Sequence, residues 1–305
     1  MSIKAELVID ARNATGESPV WHCAEQALYW VDIPERKLCK WDVASGASHS
    51  WTAPEMLSCI ALRADGKGWL AGMESGIFSL APQADGSLDC TRLTAVDHAL
   101  AGMRFNDGRC DRQGRFLAGT MLMNMAAGQA IGCIYSYQKR SASTGSSGSE
   151  LLRLLDGYIT PNGMAFSPDG KTMYLSDSHP SVQMIWVFDY DTVSGKPSNR
   201  RVFVDMNIFP GRPDGAAVDA DGCYWICAND AGLIHRFTPD GRLDRSLAVP
   251  VKKPAMCAFG GAALDTLFVT SIRPTGVDLS DQPLAGGLFA LRPGVAGLAE
   301  PLFSS

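Results

Sequence analysis

Five side chains, Glu17, Ser58, Asn106, Asn162 and Asp214, carry oxygens able to hold a cation or direct a water molecule, and their spacing is regular. Each stands ten to twelve residues ahead of an aromatic that opens or follows the start of an apolar run: Tyr29, Trp69, Phe116, Tyr174 and Trp225. A sixth member of the series, Met256 ahead of Phe268, is apolar. Two carboxylates and two carboxamides brought together make an all-oxygen site. Left alone there, the carboxylates repel each other and lose hydration, which raises at least one pKa. A divalent cation offsets both effects. With no histidine or cysteine in the set, calcium, magnesium or manganese fits better than structural zinc. So few protein donors leave room for water or a substrate, as Lewis-acid chemistry requires. A calcium clamp that merely stiffens the chain uses the same donors. Asn162-Gly163 and Asp214-Gly215 are also ordinary turn starters taken singly. Their common phase is what points to a site.

The elements that must position these residues recur along the chain. The unit is an apolar strand, a polar turn and a second strand, read at Tyr29-Trp30-Val31-Asp32, Trp69-Leu70-Ala71-Gly72 and four later places. The aromatic anchors lie 40, 47, 58, 51 and 43 residues apart. Asp65-Gly66, Gln113-Gly114, Asp169-Gly170 and Asp221-Gly222 precede four of them, supplying the positive φ of a tight turn. A third short strand follows each second one, as at 185–188 and 233–237, and a more polar fourth is clearest at Arg201 to Val204. The periodicity is two throughout. Six such units predict an all-β fold, a six-bladed β-propeller of four-stranded antiparallel blades, spanning 1–305 as a single domain. The strand at Ala5 to Asp10 is expected to join the blade carrying Leu288 to Leu291 and close the ring, leaving no open sheet edge. A β-sandwich or two small barrels is the competing architecture. In a propeller the first strand of each blade lines the channel, so the six phased positions fall at one mouth. The serine-rich stretch Ser141 to Ser149 reads as a rim loop.

Composition narrows the function. Hydrophobic residues are 46% of the 305, enough for a full core, and charged residues only 19%. A net charge of -5 offers nucleic acid or an anionic membrane no long-range attraction, so neither is expected as a partner. No apolar run reaches membrane-spanning length, and none of signal-peptide length opens the sequence, so a cytoplasmic protein is expected; with no long apolar strip on a strand edge, a monomer is the default. The nine cysteines are odd in number and scattered, and read as reduced, mostly buried small hydrophobes. No Ser-His-Asp arrangement can be assembled; His22 and His235 read as packed or surface residues.

Several stretches resemble the gluconolactonase/regucalcin (sugar lactone lactonase) family. They are Glu17-Ser18-Pro19-Val20-Trp21, Arg104-Phe105-Asn106-Asp107-Gly108, Pro161-Asn162-Gly163-Met164, Pro213-Asp214-Gly215 and Phe259-Gly260-Gly261, in order. The resemblance implies a six-bladed propeller with one divalent metal (Ca2+, Mg2+, Mn2+, Zn2+ or Fe2+) that hydrolyses a small-molecule sugar lactone. It implies that Glu17, Asn162 and Asp214 are the three protein metal ligands. Asn106 is then the residue that touches water on the metal or the substrate, and Arg104 the one that hydrogen-bonds the lactone. It also implies that Asp214 doubles as the base; on chemistry alone Glu17 would serve nearly as well. Family members often carry an acid in the loop that here reads Thr120-Met121-Leu122-Met123-Asn124-Met125, where Asn124 is the polar stand-in for holding substrate. The methionines there make either an adaptable apolar wall or a loop packed on its own blade. Asp177 and Ser178, ending a second strand, are expected to orient the site from behind, or Asp177 to cap the following loop. Arg104 offers a fork of donors to sugar oxygens, or else pairs with Asp107. A calcium-binding regulatory propeller and a related esterase or phosphotriesterase are the alternative functions.

Overall fold

A computed structural model describes residues 3–139 and 149–304. In it the alternating apolar stretches become six four-stranded antiparallel sheets set in a ring. The innermost strands are Gly16–His22, Leu57–Leu62, Met103–Cys110, Pro161–Phe166, Arg212–Val218 and Pro254–Gly260, opening blades 1 to 6. Blades 1 to 5 are built outward in chain order. In blade 6, Glu6–Ile9 pairs antiparallel with Leu288–Leu291, as expected of the N-terminal strand. Each inner strand packs beside the next, and Gly16–His22 lies against Pro254–Gly260 to close the circle. Apart from Ser149, which opens the strand Ser149–Tyr158, the expected serine-rich rim loop lies outside the described residues.

The aromatic anchors explain the ring. They face neighbouring blades: Tyr29 meets Trp69 at a centroid distance of 4.5 Å, Tyr174 meets Tyr224 at 4.9 Å, and Trp21 stacks on Phe268 at 5.5 Å. Such pairs contribute about 0.5–1.5 kcal/mol beyond burial, so the same residues that start strands also glue blades. The turn glycines Gly66, Gly114, Gly170 and Gly222 all have positive φ, between 68° and 84°. Buried Asp219 locks one of these turns, accepting from the Asp221 and Cys223 amides, Trp225 Nε1 and Arg236 Nε.

Two further features bear on the site. First, every inner strand slips register near its starting end: between Glu17 and Val20, Phe105 and Gly108, Asn162 and Ala165, and Pro213 and Ala216, with matching slips in blades 2 and 6. A bulge frees a side chain from the pleat and re-aims it. Second, the C-terminal segment crosses the channel's other end. Gly297 bridges to Asp219 and Phe303 to Arg63, while Glu300 and Leu302 line a cavity of about 20 Å³ together with Arg109 and Met256. The nine cysteines are unpaired, seven of them buried. Among the described residues no helix is long and apolar enough to cross a membrane.

Candidate metal and catalytic site

The bulges decide what the channel mouth contains. At Ser18 the backbone turns through φ 48°, and at Gly163 through 60°. A Cβ on Gly163 would lie 2.5 Å from Tyr224 Oη and 2.7 Å from Ser176 Oγ, so only glycine lets this strand bend here. Tyr224 Oη donates to the Gly163 carbonyl at 2.7 Å, fixing the bend. Glu17, Asn106, Asn162 and Asp214 are thereby buried, each retaining 5–8% exposure.

Four of the expected residues form one hydrogen-bonded chain. Arg104 Nη1 donates to Asn106 Oδ1 at 2.8 Å and to the Phe105 carbonyl at 2.7 Å, with Ser58 Oγ at 3.4 Å. Asn106 Nδ2 donates to the Pro161 carbonyl at 3.1 Å, next to Asn162. Asn162 Nδ2 donates to both Asp214 Oδ1 and Ser178 Oγ at 2.7 Å, and Ser178 Oγ donates to the Pro213 carbonyl at 2.5 Å. Glu17 joins through charge. Among the described residues its carboxylate accepts only the adjacent Ser18 amide, at 3.3 Å.

Electrostatics is the signature of the site. Burial, then the charges of Asp214 and Asp107, push the Glu17 carboxyl well above the ordinary range. Burial raises Asp214 to about 7, although the Asn229 hydrogen bond pulls the other way. Burial also lowers Arg104 to about 10. With the Arg104 charge acting on Glu17 and the Arg212 charge on Asp214, two carboxylates are thus held out of water beside two carboxamides. Their chemistry fits a hard divalent cation taking oxygen from Glu17, Asn162 and Asp214. Among the described residues no three His, Cys, Asp or Glu side chains gather as a metal group.

Other expected residues take different places. Asp177 accepts the amides of Ile159 at 2.7 Å, Thr160 at 3.0 Å and His179 at 3.0 Å. It thus orients the site through the backbone that leads into Asn162, and Asp32 does the same for blade 1 through Ala14 and Thr15. Asn124 is exposed at the start of the short turn Met125–Ala127, makes no capping bond, and does not join the network among the described residues. Of the loop methionines, Met121 is buried in the strand Phe116–Leu122 and Met123 is exposed. Asp107 does not pair with Arg104; its Oδ2 accepts the Met164 amide at 2.8 Å, across to blade 4. His235 is buried between Ser246 Oγ and the Pro210 carbonyl, a packed residue as expected. Phe209 packs edge-on against Phe237, in the layer between blades 4 and 5.

Sequence reasoning missed Asn229, whose Nδ2 donates to Asp214 Oδ2 at 2.6 Å. Asp32 and Asp177 each stand three residues beyond their anchor aromatic, and the same count in blade 5 lands on Ala228. A polar residue one place further along the strand was the available signal.

The sequence model of the SMP-30/gluconolactonase/LRE-like region matches residues 15–273. The chain belongs to this family. It is 36% identical over 316 aligned positions to a 6-deoxy-6-sulfogluconolactonase from Pseudomonas putida, covering 100% of both chains. To regucalcin from Homo sapiens it is 33% identical, over 98% of this chain and 97% of that one. A solved structure of regucalcin from Agrobacterium tumefaciens, described as a calcium-binding protein, matches with a TM-score of 0.89 at 29% identity, covering 100% and 99% of the two chains. Lactonase-named and regucalcin-named proteins thus share this propeller family.

Proposed function

We propose that this chain hydrolyses a sugar lactone to the corresponding aldonic acid, using one divalent cation held by Glu17, Asn162 and Asp214. The observation that carries this reading is the buried pair of proton-avid carboxylates beside two carboxamides at the bulged strand ends. The cation, when bound, supplies Lewis acidity toward the lactone carbonyl. Arg104 binds the sugar: only its Nη1 is engaged among the described residues, which leaves Nε and Nη2 for substrate oxygens. Asp214 acts as the base. Each of its oxygens accepts one amide N–H, from Asn162 or Asn229, and each keeps a second lone pair. As the oxygen of an attacking water bonds to the carbonyl carbon, its proton passes to Asp214. The ring C–O bond then breaks, and Asp214 returns the proton to the departing ring oxygen. Asn106, fixed by Arg104 and the Pro161 carbonyl, orients the water or ring oxygen and cannot accept a proton at neutral pH.

The test is proton release from a panel of aldono-1,4- and 1,5-lactones, a C6-sulfonated gluconolactone included because of the Pseudomonas putida relative. The chain is stripped of metal, then given Ca2+, Mg2+, Mn2+, Zn2+ or Fe2+ in turn. Metal-restored turnover, lost in a folded Asp214→Asn variant, supports the reading. The calcium-binding description of the Agrobacterium tumefaciens relative favours a second reading, a propeller that binds the cation without turnover. Rates at the spontaneous level for every lactone, with metal bound, would favour it.

A further inference from the structure

We propose that Asn229 is a positioning residue for Asp214, and that Arg212 and Lys253 determine which way its amide faces. The inference rests on the site proposed above. Asn229 ends the strand Tyr224–Asn229 of blade 5, pairs with Arg212 across the ladder, and is 2% exposed. Its Nδ2 donates to Asp214 Oδ2 at 2.6 Å. On the other side of the same amide, Oδ1 faces Arg212 Nη2 at 3.4 Å and Lys253 Nζ at 3.5 Å.

A carboxamide can present either end to a neighbour, and the choice is settled by charge. Turned over, Asn229 would set its carbonyl oxygen against a carboxylate and its N–H groups against two cations. As placed, both contacts are attractive. Asp230 holds the two cations there: it accepts from Arg212 Nε at 2.6 Å and pairs with Lys253 Nζ. Arg212 Nη1 is tied further to the Ser178 carbonyl at 3.2 Å, beside the hydroxyl that receives Asn162. The network therefore begins at the half-exposed Asp230 and ends on the candidate base and ligand.

The consequence is geometric. The last torsion of an aspartate is soft, with broad wells. Asn162 restrains only Oδ1 of Asp214; Asn229 restrains Oδ2, so together they fix the carboxylate plane. Without Asn229 the carboxylate swings, and the ordering must be supplied on each binding event. Residues that orient a metal ligand in this way typically change metal affinity or activity by about 10- to 100-fold when removed.

The test uses the full chain, stripped of metal, as parent, Asn229→Leu (shape kept, donor lost), Asn229→Ala and Asp230→Asn. Mn2+ affinity is measured by titration calorimetry, and kcat and KM on the best lactone of the panel. Folding is followed by thermal melting. Expected for both Asn229 variants is a Mn2+ Kd raised by about 10-fold or more, with kcat reduced and KM little changed. Asp230→Asn, which frees the two cations and breaks no hydrogen bond of Asp214 although it removes a charge felt there, is expected to weaken Mn2+ binding several-fold. A variant at 229 that melts lower yet keeps the parent's Mn2+ Kd and kcat would show a merely structural role and overturn the proposal. Unchanged Mn2+ affinity in Asp230→Asn would overturn the part assigned to the cations. Should the parent turn over no lactone, the hydrolase reading fails while the Mn2+ measurement still decides the role of Asn229.

Discussion

The metal-free chain should become less stable as pH rises from about 4 to about 7, and a divalent cation should abolish that loss. The perturbation is removal of the cation followed by titration of the two channel carboxyls. Asp214 is raised from 3.8 to about 7 by burial, and Glu17 is raised well above 4.5 by burial and by the charges of Asp214 and Asp107. The folded chain therefore holds protons that the unfolded chain has released, and stability falls with pH wherever the folded state binds more protons. The contribution is fully present below the unfolded value and is lost on passing through the folded one. For Asp214 alone, a shift of about 3 units at about 1.4 kcal/mol each gives on the order of 4 kcal/mol. An unfolding entropy of roughly 2.1 cal/mol/K per residue converts this to about 6 °C in Tm for a chain of this length.

The assay is scanning calorimetry between about pH 4.5 and 8. It compares the parent with Asp214→Asn, both treated with chelator, so that titrations away from the site cancel and the difference reports Asp214 together with the part of the Glu17 shift that Asp214 causes. Asparagine has the shape of the protonated acid and no charge at any pH. The parent's Tm should accordingly drop relative to the variant as pH rises, and saturating Ca2+ or Mn2+ should restore the parent alone. A parent-minus-variant difference that stays flat, or grows in the parent's favour with pH, would refute the reasoning. It would mean that water or a backbone donor already satisfies Asp214, so the site lacks the unmet charge that a cation answers.

Three shorter predictions follow from the same geometry. Arg104→Met removes the candidate sugar-binding fork and the donor that holds Asn106, and should raise KM by about 10- to 100-fold, with a smaller fall in kcat, in steady-state assays. Gly163→Ala sets a Cβ into Tyr224 Oη at a positive φ and should lower stability by about 1–3 kcal/mol in urea unfolding; an unchanged midpoint would contradict the bulge geometry. Glu300→Gln removes the carboxylate 3.5 Å from the buried Arg109 guanidinium and should lower stability by roughly 1–2 kcal/mol while leaving Mn2+ affinity at the mouth unaltered.

The blades were legible because two local signals coincide in each: an aromatic where blades meet, and a glycine where the chain reverses. Counting back from Tyr29, Phe116, Tyr174 and Trp225 reached Glu17, Asn106, Asn162 and Asp214, which the structure gathers at one mouth. The register slips that aim these side chains were not legible, since a bulge is a property of a pair of strands and neither strand alone records it. The partner of Asp107 was hidden for a similar reason: Arg104 lies close in sequence, yet the carboxylate reaches the Met164 amide in the next blade. Asn229 fell one residue outside the count that fits Asp32 and Asp177. The C-terminal segment has neither alternation nor turn signals, and its place under the channel depends on partners such as Arg109, Asp219 and Arg63 far away in the chain.

Met256, the apolar member of the phased series, accounts for much of the site's character. Its inner strand stands between those that carry Glu17 and Asp214, and both neighbours pack against it. A Cβ on Gly215, the residue after Asp214, would lie 2.3 Å from Met256 Cβ, so glycine is what allows that strand to press close. Met256 also lines, with Ser18 and Pro19, the small cavity closed by the C-terminal segment. The strand between the two that carry the carboxylates thus contributes a hydrocarbon side chain where the other phased positions are polar. Burial is the largest influence on both acids, ahead of the Asp214 charge in the case of Glu17. By breaking the polar series at one blade, the propeller keeps the two carboxylates of the proposed site in apolar surroundings, where charge interactions are stronger than in water.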